Sequence, residues 1–255
     1  VPARIVSLVP SITELLCDLG LSEHLVGRTG FCIHPWETVK PIPKVGGTKD
    51  LRFDRIRELE PTHVVVNVDE NRKEDADALA EFIPNVVVTH PLGPRDNLAL
   101  YRQMGETFGV ETEAEGLCGQ FEAAYERALA TRGAEQRVLY LIWKDPWMTI
   151  SPDTYISQTL GVFNWQTQPS SFGSPEGDQR TRVRYPEVDL ADFSDVDRVL
   201  LSSEPFHFKQ HHVEEVEALL PGTAKLALID GEMTSWYGSR AIRGLDYLAE
   251  FTGKL

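Results

Sequence analysis

Arg4-Ile5-Val6-Ser7-Leu8-Val9-Pro10-Ser11-Ile12-Thr13-Glu14-Leu15 changes its period at one residue. Up to Val9 the run suits a strand buried on both faces. Pro10 ends that run. Ser11 and Glu14 then fit an S-x-x-E capping box. Ile12, Leu15, Leu16 and Leu19 follow at helical spacing, and Gly20 supplies the stop. The unit reads strand, turn, helix, with a second short strand at 25–28.

The same alternation runs outward from there. A short helix is expected over 53–59, a strand over 63–68, a helix over 76–82, a strand over 86–89 and a helix over 97–108. From Thr112 to about Arg132 a stretch rich in Ala and Glu, without Pro, predicts a helix of about twenty residues, about 30 Å long. Strands are expected at 137–142, 198–202 and 225–229. Helices are expected at 154–160, 187–193, 213–220 and 240–251, with residues 166–184 as a long loop. Strands alternating with helices imply parallel sheets covered on both faces. The expected fold is therefore α/β: two small lobes, 1–110 and 134–255, joined by one long rigid helix over 111–133.

Composition narrows the function. The chain has 255 residues, 42% apolar and 25% charged, as in an ordinary globular protein. Against 25 Lys and Arg stand 39 Asp and Glu, for a net charge of −14. Nucleic acid and anionic membrane are poor partners for that charge. No apolar run is long enough to span a bilayer. No basic start with an apolar core is visible, so a periplasmic or cell-surface location requires that a leader was removed; a cytoplasmic one is the alternative. Cys17, Cys32 and Cys118 form no CxxC pair and no disulfide framework. There is no GxSxG elbow, Walker loop, GxGxxG or HExxH.

In open parallel sheets, ligands bind beyond the carboxyl ends of the strands. Large side chains gather there. Phe31, Cys32, His34 and Trp36 follow the strand at 25–28. Trp143, Lys144, Asp145, Trp147 and Met148 follow the one at 137–142. Asp230, Glu232, Trp236 and Tyr237 follow the last. Aromatics in loops at one sheet edge suit a wide pocket for a flat, apolar ligand. Arg180, Arg182 and Arg184 alternate along the long loop and could clamp ligand carboxylates or phosphates. His34, with Cys32 two residues before it, could contact a metal, most simply as an axial ligand to a metal already held by a bound chelate. His207, His211 and His212 read as an exposed helix start.

The opening Arg4–Leu15 segment, Val45-Gly46-Gly47-Thr48, Leu59-Glu60-Pro61-Thr62-His63-Val64-Val65 and Ser235-Trp236-Tyr237 resemble class III periplasmic binding proteins. This is the helical-backbone metal-receptor group, whose members bind cobalamin, haem and ferric siderophores for ABC importers. The resemblance covers nearly the whole chain and is nearest to the cobalamin-binding members. It implies a solute-binding protein rather than an enzyme, with a cleft between the lobes and little hinge motion. A corrinoid is the first expected ligand, then haem or a ferric siderophore, with no built-in cofactor. It places ligand contacts on the Phe31–Trp36 loop, Thr48 and Lys49, Asn67 to Asp69, Trp143 to Trp147, Arg182 to Tyr185, and Trp236 and Tyr237. It further implies one acidic residue per lobe docking on a transporter: Asp54 fits the first, while the second position falls on Gly238 with Glu232 nearby. The chain is expected to act as a monomer. The alternative is a cytosolic corrinoid- or chelate-handling protein or enzyme that uses a reactive Cys32 with His34.

Overall fold

The computed structural model describes residues 2–170 and 184–254. The chain forms two compact units. The first takes the chain up to Pro91, with Arg95–Phe121 and Tyr237–Arg240; the second takes Leu92–Pro94, Glu122–Trp236 and the chain from Ala241 onward.

Unit 1 contains β1 (Ile5–Ser7), α1 (Pro10–Asp18), β2 (Leu25–Arg28), α2 (Trp36–Val39), α3 (Phe53–Glu58), β3 (His63–Asn67), α4 (Lys73–Ala80), β4 (Asn85–Thr89) and α5 (Asp96–Phe108). Its four strands are parallel, in the order β2-β1-β3-β4. The central strands carry unbroken apolar runs because both of their faces are covered. β1 is buried throughout, and Val64, Val65 and Val66 of β3 are buried. The edge strand β4 alternates, with Val88 exposed and Val87 buried. One core cluster joins Val6, Leu8, Val45, Ile56, Val64 and Leu79.

Helix α6 (Glu111–Ala130) passes the boundary between the units after Phe121. In unit 1 its buried Ala114, Leu117, Cys118 and Phe121 lie one helical turn apart in steps of three and four. Phe121 meets Tyr101 of α5 edge-on, with ring centroids 6.3 Å apart.

Unit 2 repeats the plan with β5 (Gln136–Leu141), α7 (Tyr155–Val162), β6 (Trp165–Thr167), β7 (Arg198–Ser202), α8 (Gln210–Leu219), β8 (Lys225–Ile229), α9 (Gly231–Ser235) and α10 (Arg240–Lys254), whose first residue belongs to unit 1. Its order is β6-β5-β7-β8, again all parallel. Thr154 caps α7, its hydroxyl accepting from the Ser157 amide. In each sheet the chain moves outward from its first strand, then returns past it to the third. The loops leaving β1 and β3, and those leaving β5 and β7, part to opposite sides. That leaves a crevice at their carboxyl ends.

Three local expectations are corrected. Ser11 and Glu14 form no capping box: α1 begins at Pro10 with Val9 as its uncapped N-cap, and both side chains are buried. Glu14 instead pairs with Arg240, Oε2 receiving Nε at 2.7 Å and Oε1 receiving Nη2 at 2.9 Å. A charged partner outcompetes a neutral backbone amide for a buried carboxylate. The long loop is shorter than expected, because residues 165–167 form β6; Trp165 is buried there against Phe251 and Arg198. The helix expected over 187–193 shrinks to a single 3-10 turn, Leu190–Asp192, started by the Asp189 carboxylate accepting from the Ala191 amide.

Candidate functional site

In unit 1 the loop after β2 is built on Arg28. This side chain is almost fully buried and donates Nε to the Val39 carbonyl at 2.7 Å and Nη1 to the Thr29 carbonyl at 3.1 Å. A guanidinium stays charged when buried, so these carbonyls are what make its burial tolerable. They fold the segment 29–39 back on itself, and the fold leaves Phe31 63% and Trp36 46% exposed. Beside it lies the turn at 46–51. Gly30 donates its amide to the Gly46 carbonyl at 2.7 Å, and a Cβ on Gly47 would stand 3.4 Å from the Phe31 ring. Asn71 ties this turn to the sheet. Its Nδ2 donates to the Thr48 carbonyl at 3.0 Å, and its Oδ1 accepts from the Asn67 amide at 2.9 Å. Thr48 is half-buried and Lys49 exposed.

At the ends of β3 and β4, Asn67 is buried and donates to the Thr89 carbonyl at 3.0 Å. It also accepts from the Asp69 amide at 2.8 Å. His90 Nε2 stands 3.6 Å from the Asp69 carboxylate. Tyr237 is buried and donates its hydroxyl to Glu70 Oε1 at 2.6 Å. Burial, reinforced by the Glu70 carboxylate, pushes the Tyr237 hydroxyl well above the ordinary tyrosine range, so it remains a donor.

In unit 2 aromatic rings gather at the carboxyl ends of β5 and β7, with Phe208 in the core and Phe206 and Trp147 packed against it. Trp143 follows β5 and is 40% exposed; it meets Phe206 edge-on with centroids 5.6 Å apart. Phe206 lies 4.7 Å from Phe208, and Trp147 stacks on Phe208 at 6.1 Å. The Phe206 amide donates to the Ile142 carbonyl at 3.3 Å, which brings the segment after β7 alongside the Trp143 loop. Lys144 pairs with Glu215 of α8 at 2.8 Å, and Asp145 is exposed. Glu204, at the end of β7, is half-buried. Its Oε1 accepts from Ser235 Oγ at 2.6 Å and from Trp236 Nε1 at 2.9 Å. Burial, with Glu232 and Asp230 nearby, raises the Glu204 carboxyl above the usual carboxylate range against the opposing effect of those two donors. Arg184 is half-buried, donating to the Asp153 carbonyl at 3.2 Å, and Tyr185 is exposed. Arg180 and Arg182 lie outside the described residues.

The loops expected at the strand ends lie there, while several side chains are placed differently from expectation. Cys32 is fully buried, with its sulfur 3.1 Å from Thr29 Oγ1, and burial pushes its thiol up. This setting does not suit a reactive thiolate, which needs electropositive and accessible surroundings. His34 is half-buried on the same loop. Among the described residues no group of three or more His, Cys, Asp or Glu could hold a metal ion. His212 is not exposed: it is buried against Phe206 and Phe208, and its Nδ1 accepts from the Lys209 amide at 2.9 Å. Asp54 is exposed in the first turn of α3, and Glu232 is half-buried. Gly238 is buried: its φ is +80°, its amide donates to Asn97 Oδ1 at 2.7 Å, and a Cβ would meet the Ser11 carbonyl at 3.1 Å. An acidic side chain has no room there. Arg28, Glu70, Asn71, Glu204, Phe206 and Phe208 were not singled out as site residues. The strand-end rule applied to β7 would have found the last three.

No helix among the described residues is long and apolar enough to cross a membrane. The family model described as periplasmic binding protein matches residues 5–168. The chain is 24% identical over 169 residues to a vitamin B12-binding protein of Pectobacterium atrosepticum, covering 64% of this chain and 60% of that protein. It is 26% identical over 173 residues to the ABC transporter substrate-binding lipoprotein YvrC of Bacillus subtilis, covering 64% and 54%. The match therefore spans between half and two thirds of the length of these curated relatives. The fold is that of the periplasmic heme-binding protein RhuT from Roseiflexus sp. RS-1 in its apo form: TM-score 0.79, 19% identity, with 98% of this chain and 97% of that chain covered. The match to residues 5–168 takes in most of unit 1, α6 and the first two strands of unit 2, and the chain belongs to the periplasmic binding protein family.

Proposed function

We propose that this protein captures a metal-containing macrocycle, a cobalamin or other corrinoid first and a haem or ferric chelate next, for hand-over to an ABC importer outside the cytoplasm. The observation that carries this reading is the set of aromatic side chains left exposed at the carboxyl ends of the strands, Phe31 and Trp36 in unit 1 and Trp143 in unit 2. In each unit, exposed rings at the strand ends offer apolar area that a ligand can cover. A flat macrocycle does so, and desolvating both partners supplies the affinity, at about 25 cal/mol per Å² of apolar area less the cost of ordering. The kinship to vitamin B12-binding and ABC-transporter substrate-binding proteins supports the same reading. So does the buried thiol of Cys32, which leaves the enzyme alternative without its nucleophile. Asp54 is the better candidate for docking on a permease. Glu232 lies near Glu204 and is the weaker candidate for that role.

The test is calorimetric and fluorescence titration with cyanocobalamin, cobinamide, haemin and a ferric siderophore in parallel. One-to-one binding of at least one of them at micromolar affinity or better is expected. Trp143→Ala should weaken it by roughly 30-fold, about 2 kcal/mol, the size of a central aromatic contact. Binding of none of the four refutes the reading.

A further inference from the structure

We infer that Glu204 is a specificity-determining residue: its Oε2 accepts a hydrogen bond from an amide or ammonium group on the rim of the ligand, and its charge excludes macrocycles whose rim carries carboxylates. This deepens the function proposed above and rests on it.

Four observations converge. Glu204 stands at the end of β7, beside β5, where the connections of the sheet part and an open parallel sheet takes its ligand. The carboxylate is fixed rather than free to swing: Ser235 and Trp236 both donate to Oε1. Gly231 lets α9 close on it, since a Cβ there would lie 2.5 Å from Glu204 Cγ. Oε2 receives no donor from the described residues, and no Lys or Arg among them pairs with Glu204. Lys144, on the neighbouring loop, is engaged by Glu215 at 2.8 Å. Finally, the aromatic surface begins two residues away at Phe206 and continues through Trp143.

A ligand whose flat face covers Trp143 and Phe206 therefore sets its rim near an oriented acceptor with a spare oxygen. Side-chain amides, as on a corrinoid, supply the matching donor. Propionate carboxylates, as on haem, bring like charge against Glu204, with Glu232 and Asp230 nearby. Juxtaposed like charges discriminate strongly because the wrong partner loses a hydrogen bond and meets repulsion together.

The experiment compares cyanocobalamin with the same corrinoid after hydrolysis of its side-chain amides to carboxylates, at pH 8, by calorimetry on the wild type and Glu204→Gln. Gln keeps an acceptor for Ser235 and Trp236 but removes the charge. The wild type should prefer the amide form by about 30-fold or more, and Glu204→Gln should bring the two within about 3-fold. Trp143→Ala, which removes apolar area only, should weaken both forms alike and keep the preference. Equal wild-type affinity for the two forms, or a preference undiminished in Glu204→Gln, overturns the inference and leaves the macrocycle reading standing. Failure of both forms together with haemin and the siderophore refutes that reading itself. Far-ultraviolet circular dichroism and the unfolding midpoint of each variant guard against loss of fold.

Discussion

Arg240→Met is expected to destabilise the protein by about 3–5 kcal/mol, read as a shift in chemical denaturation. Glu14 and Arg240 leave only 6% and 5% of their side chains exposed, and the pair is bidentate at 2.7 and 2.9 Å. Removing the guanidinium takes this bidentate partner from a carboxylate buried in the core, which then faces a much larger cost of desolvation. The double variant Glu14→Met/Arg240→Met should recover most of the loss, because two apolar side chains of similar volume replace the pair without stranding either charge. The expected order of stability is therefore single variant well below double variant, with the double variant near the wild type. A single variant within 1 kcal/mol of wild type would show that the pair carries no such weight.

The second large effect is expected at Gly46. Its φ of +115° lies in a region that side chains avoid, and a Cβ there would stand 2.1 Å from the Asp50 carbonyl oxygen. Both obstacles are backbone, so no side-chain rotation relieves them. Gly46→Ala should cost more than about 3 kcal/mol, or fold with the 46–51 turn opened. The turn carries Thr48, and the Gly46 carbonyl anchors Gly30 next to Phe31. Ligand affinity should fall with stability in the same variant. Gly116→Ala is the matched control: that glycine lies inside α6 with nothing within 4 Å of its would-be Cβ. It should leave stability unchanged or raise it by about 0.5–1 kcal/mol through helix propensity.

The architecture was legible because buried parallel strands write themselves as Val, Ile and Leu runs between amphipathic stretches. Ile5 to Val9 and His63 to Asn67 are such runs, and so are 137–142 and 198–202. The aromatic loops were legible for a related reason: Trp143 and Trp36 have no periodic partner within their own segments. Pairing across long separations was not legible. Ser11 and Glu14 satisfy a local capping rule, and nothing near them in sequence announces Arg240, 226 positions away. His212 looked like a polar helix start because two other histidines precede it. Its burial is decided by Phe206 and Phe208, which belong to the preceding loop. Cys32 sits among exposed residues in sequence, yet the folding of its loop around Arg28 turns it inward.

The segment Tyr237–Arg240 belongs to unit 1, although almost the whole of unit 2 lies between it and the rest of that unit. This has a bearing on how the molecule is made. A ribosome adds about 5–20 residues per second, so the guanidinium that neutralises Glu14 follows it by roughly 10–45 s. Through that interval Glu14 lacks the Arg240 guanidinium, and Glu70 lacks the Tyr237 hydroxyl. The first sheet to emerge is thus completed only near the end of synthesis, and a nascent chain halted before residue 237 should show protease-sensitive α1 even after its four strands have been synthesised.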